Sequence, residues 1–303
     1  MKGILGLVKR NLLLYFKDVQ TVIFSLLTSI IVFVLYILFL KNQFVNAINS
    51  AMNGLEAFIN QNDIDSLVSG ILLTGIMGSA LITVSFNCLT TIVKDRERKI
   101  DYDISATPMK RWQIIVSYFT SAVISSFIMT SAIFTFGIVL ISLKQNLYLG
   151  FADMLKIYGL IAFGSLSATA LFMIVMLFFK TSSASGAFFG MLSAAAGFVI
   201  GAYLPVSEFS DSVQTVCNLF PASHVTITFR KLLLSNVLDK ITLDIGGLDE
   251  GMFTESIKET FTFNPSMFSN VISTGNSMLY VALFAVVSII VMVCLYAKTY
   301  KRK

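Results

Sequence analysis

SLVSGILLTGIMGSALITVSFNCLTTIV, residues 66–93, carries no charged residue, and KDRERKIDYDISATPMKR, residues 94–111, follows it with ten. A helix needs about 20 largely apolar residues to cross the hydrocarbon core of a bilayer, so the first stretch is a candidate transmembrane helix. Its apolar residues run on without alternating, which excludes a barrel strand and leaves the helix as the spanning form. The second stretch is then the loop that ends the span.

Five more uncharged stretches read the same way: 20–40, 112–143, 157–179, 181–205 and 277–297. Several exceed the minimum length, which predicts tilt or helical extensions beyond the bilayer. Of the 303 residues 56% are hydrophobic and 13% charged, whereas a soluble domain carries about a quarter charged. The expected fold is an all-α membrane protein with six transmembrane helices, one bundle over residues 1–303.

Charge sets its orientation. With both termini inside, the inner segments are 1–18, 94–111, the turn at Lys180, and 298–303. They hold fifteen bases and five acids, net +10, while the outer parts hold seven bases and twelve acids, net −5. Positive charge stays on the cytoplasmic side, so both termini are expected there, in a cell membrane. The overall +5 therefore reflects membrane orientation, and no nucleic-acid partner is implied.

The start, MKGILGLVKR, is not read as a signal peptide, because basic residues recur to Lys17 and no small-residue cleavage site follows Leu40. Residues 2–17 read as an interfacial helix. Ile4, Leu5, Val8, Leu12, Tyr15 and Phe16 share one face, and Lys2, Lys9, Arg10 and Lys17 another.

The first outer loop repeats apolar residues with helical spacing at Phe44, Val45, Ile48, Ala51, Met52, Leu55 and Ile59. Asp65 and Ser66 offer caps for the next span. The outer region 208–275 mixes amphipathic pieces, Phe229–Leu238 and Met252–Phe261, with turn signals at Gly246-Gly247 and Asn264-Pro265. It is expected to form short helices that cap the bundle before the last span.

No G-x-x-x-x-G-K-[ST] phosphate cradle occurs, nor H-E-x-x-H, nor G-x-S-x-G. No catalytic residue is assigned, and the lone His224 without a Cys or carboxylate cluster is no metal site. Cys217 stands alone in the outer region, so no internal disulfide is implied. The spans carry hydroxyls and amides in place of acids, notably Thr83, Asn87 and Thr90 on one face. If the chain transports, its energy comes from elsewhere. Gly186 and Gly190, and Ser193, Gly197 and Gly201, recur at intervals of four, spacing that suits either close helix packing within the chain or a dimer seam. The mixed-charge loop 94–111 suits either docking of another protein or plain solvation.

Residues 95–115, DRERKIDYDISATPMKRWQII, and 201–233, GAYLPVSEFSDSVQTVCNLFPASHVTITFRKLL, together with the order of spans, resemble the type-2 ABC exporter permease family, in its multidrug, peptide and lipid export group. Arg96-Glu97-Arg98 and Thr107-Pro108 with Lys110 and Arg111 match the family's cytoplasmic loop. Lys99 stands where Gly is usual, so a looser turn is expected there. Pro205, Phe220-Pro221 and Arg230 fall in the places of the second motif, with Phe220 where Asn is common.

The resemblance implies a permease that dimerises with a second copy or a paralogue, in a bacterial cell membrane. A separate ATPase subunit would bind ATP and Mg and dock on the loop, so no cofactor belongs to this chain. By position it puts Arg96, Glu97, Arg98, Asp101, Ser105 and Pro108 in or beside the docking element. It makes Thr83, Asn87, Thr90 and Phe189 candidates for a substrate path through the second and fifth spans. A non-transporting scaffold or sensor partnered with an ATPase is the alternative, and an integral-membrane enzyme a more distant one.

Overall fold

The structure is a computed structural model, described over residues 2–52, 58–246 and 248–299. Leu55 and Gly247, named above, lie outside the described residues. The elements are α1 (Lys2–Lys17), α2 (Val19–Leu35), α3 (Lys41–Met52), α4 (Gln61–Cys88), α5 (Thr90–Glu97), α6 (Ile100–Ala106), α7 (Arg111–Ser142), α8 (Phe151–Met176), α9 (Ser182–Val199), α10 (Asp211–Asn218), α11 (Pro221–Ile245), α12 (Met252–Thr260) and α13 (Thr274–Thr299). The two-residue strands β1 (Ser266–Met267) and β2 (Asn270–Val271) pair antiparallel before α13.

This is an all-α membrane protein. Five helices among the described residues are long and apolar enough to cross a membrane, or six if the bent pair α1–α2 is one span. The 72° bend falls at Asp18, whose carboxylate accepts from the Thr21 amide at 3.1 Å and caps α2. The stretch expected as the first span, 20–40, is not one regular helix. Val19–Leu35 passes through a π-helical turn, Tyr36–Leu40, into α3. Phe44, Ile48 and Met52 of α3 are buried, with the Phe44 ring edge-on to Phe261.

α4 is the axis. It begins at Gln61, capped by Asn60 and not by Asp65 or Ser66, and 83% of its apolar window is buried. Small residues let its neighbours approach. A Cβ at Gly70, Gly75 or Gly78 would collide with Leu234, Ala202 or Thr226.

Those contacts add to the expectation for the outer region. Part of it does more than cap the bundle: α11 runs antiparallel beside α4, with Thr226 level with Gly78 and Leu234 level with Gly70, and Val225 meets Gly164 of α8. Residues 221–230 are all buried. Their polarity is absorbed locally. Ser223 donates to Asn218 Oδ1 at 2.7 Å, and Thr226 and Thr228 donate to carbonyls one turn back. His224 Nε2 faces the Asn218 carbonyl at 2.7 Å and so carries the proton, leaving Nδ1 to accept from Ser277 at 2.5 Å. The buried Arg230 donates to the Phe261 and Thr262 carbonyls.

The span expected over 181–205 ends at Val199, short of Pro205. Gly201 takes φ +70°, and the Gly197 carbonyl accepts from the amides of Ala202 and Tyr203. A left-handed glycine stops the helix before the proline is reached.

Candidate functional site

The α4 helix breaks at Leu89 and resumes as α5, which ends in the run Lys94-Asp95-Arg96-Glu97. Successive helical residues point about 100° apart, so four in a row face four directions. Each of these four holds a different part of the bundle. Lys94 Nζ donates to Asp18 at 2.5 Å and to Thr21 at 2.9 Å, at the α1–α2 bend. Asp95, 3% exposed, takes a bidentate pair from Arg10 of α1 at 2.6 and 2.8 Å and the Tyr118 hydroxyl of α7 at 2.5 Å. Arg96 Nη1 donates to the carbonyls of Leu177, at 3.2 Å, and Phe179, where α8 ends. Glu97 accepts from the Ser182 amide at 3.1 Å and from its hydroxyl, where α9 begins.

Beyond this turn Lys99 adopts φ 62°, ψ 14°, the left-handed region. The looser turn expected from a lysine in the glycine's place is not found, because the chain bends as glycine would and Lys99 bears the strain. α6 follows, with Asp101 and Asp103 in its first turn, where the helix dipole favours acids. Thr107 Oγ1 returns to the Ile104 carbonyl at 2.6 Å, and Pro108 ends the helix. The Gln113 side chain then accepts from the Lys110 amide at 2.7 Å as α7 begins.

The six loop candidates thus divide. Half-buried Arg96 and exposed Glu97 grip the chain itself, Arg98 and Pro108 are exposed, and Asp101 and Ser105 are half-buried. Asp101 lines a small pocket with Arg96, Tyr118 and Tyr296, and burial raises its carboxyl above the usual carboxylate range. The open face of α6 is Tyr102, 65% exposed, with Asp103 and Ala106. The sequence reading missed that trio. Its signal was Ile100 and Ile104, four apart, which turn inward and leave positions 102, 103 and 106 outward.

Above the turn Phe86 sits among four rings. Phe172, Phe188, Phe189 and Phe179 lie 5.7, 5.5, 6.0 and 6.3 Å away, Phe189 stacked at 24°. Thr83 is buried and donates to the Ser79 carbonyl, and half-buried Thr90 donates to the Asn87 carbonyl at 2.8 Å. Asn87 is buried with its Nδ2 unpartnered. Thr83 and Asn87 therefore lie inside the chain's own packing, and Phe189 joins them through Phe86.

The small-residue candidates split too. Gly197 packs beneath the Tyr203 ring, Gly201 turns the chain, and Ser193 is half-buried. Gly186 and Gly190 face open space with Ala187, Met191 and Ala194 exposed beside them. Only 17% of the α9 window is buried.

α1 also departs from its expected faces. Leu7, Val8, Asn11 and Tyr15 are buried against the bundle, while Leu5 and Phe16 are exposed.

No curated protein matches the chain. The profile of the ABC-2 type transporter family matches residues 3–234, from α1 into α11. A match over most of the chain, on a helical bundle of this kind, decides the family. The chain belongs to the ABC-2 type transporter family and is the multi-pass permease component of an ABC transporter.

Proposed function

We propose that this permease is the membrane-spanning half of an ATP-driven exporter, moving an amphipathic or hydrophobic substrate (a drug, a peptide or toxin, or a lipid) out across a cell membrane. ATP and Mg bind in a separate ATPase subunit, which docks from the cytoplasm on α6. A second copy or a paralogue packs on the open face of α9. Both termini lie in the cytoplasm, and α1 lies in the inner headgroup layer, its exposed Leu5 and Phe16 toward lipid.

The observation that carries this reading is how α6 is presented. It exposes Tyr102, Asp103 and Ala106, and it stands on a turn bonded to α1, α2, α7, α8 and α9. A partner pushing on that face moves elements that are all tied to one point. An aromatic ring beside mixed charge is also the make-up of a protein-binding surface.

The test is reconstitution in vesicles with candidate ABC ATPase chains. Wild type is expected to bind one of them and to drive ATP-dependent efflux of a hydrophobic peptide or lipid probe. Tyr102→Ala is expected to weaken ATPase binding at least tenfold. Binding without efflux by wild type would support the scaffold or sensor instead, and Tyr102→Ala binding at full strength would remove α6 as the dock.

A further inference from the structure

We infer that Arg96 and Glu97 are positioning residues that tie α9 to the coupling turn by clasping both sides of the α8–α9 connection. The inference rests on the exporter reading and adds to it the link through which ATPase movement reaches α9.

A helix leaves its last four carbonyls and first four amides without partners, carrying partial negative and positive charge respectively. Arg96 sets a cation on the carbonyls of Leu177, the residue that caps α8, and of Phe179 just past it, and Glu97 sets an anion on the amide of Ser182, the first residue of α9. Each sign matches its helix end. The reverse order, Glu-Arg, would oppose both. Two adjacent residues thus hold two helix ends that only five residues, Leu177 to Thr181, separate.

α9 depends on this clasp more than the other helices would. It is the least buried of the five spans among the described residues. At its far end it is held by Gly197 under Tyr203 and by Ala202 against Gly75. At the clasped end it is held by Phe188 and Phe189 against Phe86, by Phe188 against Phe179, by the buried Ser185, and by Glu97. Ring contacts spread their attraction over an area, whereas a carboxylate bonded to a helix N-terminal amide fixes one point. When α5 and α6 move, the clasped end of α9 follows.

The experiment uses the full chain in nanodiscs, alone and with its ATPase. In the chain alone, Glu97→Ala is expected to speed amide exchange at Ser182–Ser185 at least tenfold, and Glu97→Gln, which keeps a carbonyl acceptor, less than threefold. With the ATPase, a spin-label pair on Ala184→Cys and Val213→Cys, in a Cys294→Ser background, is expected to change distance on ATP binding in the parent. In Glu97→Ala that change is expected to disappear while ATPase binding stays within twofold of the parent, and Glu97→Gln is expected to restore it. Unchanged exchange in Glu97→Ala alone would overturn the clasp. Loss of ATPase binding in Glu97→Ala would overturn it in favour of direct docking. A parent chain that binds no ATPase would instead defeat the exporter reading and leave the exchange result standing.

Discussion

Two ion pairs one residue apart, Arg10–Asp95 and Lys94–Asp18, are expected to differ several-fold in worth. The Asp95 side chain is 4% exposed and held by both guanidinium nitrogens, with Arg10 32% exposed. Removing one partner of a fully buried pair costs about 3–5 kcal/mol, because a buried charge is left uncompensated. Here Arg10 is partly wet, and Asp95 keeps the Tyr118 hydroxyl, so Arg10→Met is expected to cost about 2–3 kcal/mol. Asp95→Asn leaves Arg10 free to reach solvent and is expected to cost about 1–2 kcal/mol. The double variant should fall short of the sum by about 1–2 kcal/mol, since it removes charge and partner together. In Lys94–Asp18 both side chains are about one-third exposed, at 33% and 35%. Lys94→Met should therefore cost less than about 1 kcal/mol, and salt should erase the difference. Denaturant unfolding in detergent, followed by far-UV circular dichroism at two salt concentrations, measures all four variants. If Lys94→Met cost as much as Arg10→Met, or if the Arg10–Asp95 cycle were additive, burial would not be what sets these energies apart.

Lys99→Gly should relieve a left-handed residue at the start of α6. The gain is about 1 kcal/mol, partly offset by a more flexible unfolded segment, so amide exchange across Ile100–Ile104 should slow about twofold while Lys99→Ala leaves it unchanged. The glycines should separate by contact. Gly78→Ala would set a Cβ 2.1 Å from Thr226 Oγ1 and lower the unfolding midpoint by the equivalent of about 1–3 kcal/mol. Gly190→Ala has nothing within 4 Å and should leave the midpoint unchanged or raise it by up to about 1 kcal/mol. The reverse order would show that the two packing environments have been misassigned.

The spans and the coupling loop were legible because their signals are local. An uncharged run announces a helix that can cross a bilayer, and Thr107-Pro108 announces where α6 stops. The partners of residues 94–97 were not legible. Arg96 bonds main-chain carbonyls more than eighty positions away and Glu97 a serine amide, groups that every sequence supplies and none advertises. Read as a charged loop, that turn looked like surface, and its charges looked free to bind another protein. α11 was hidden for a related reason. Ser223, His224, Thr226 and Arg230 make residues 221–230 look too polar to bury, yet each finds its partner within the chain. The signal that could have revealed it lay elsewhere, in Gly70, Gly75 and Gly78, which open one side of α4 to a close neighbour.

The unevenness of burial bears on which helix moves. A close-packed interior transmits displacement without absorbing it. α4 is 83% buried over its apolar window and wedged against α11 at Gly70 and Gly78, so it cannot shift alone. α9 is the least buried of the spans among the described residues, at 17%. In the last turn of α5, Glu97 reaches α9. On the proposed reading, a push on α6 is thus divided between a centre that resists and a helix that yields. The helix that yields carries the open stripe at Gly186 and Gly190, where a second permease would pack. Movement of α9 would then change the contact between two permeases more than the packing within one.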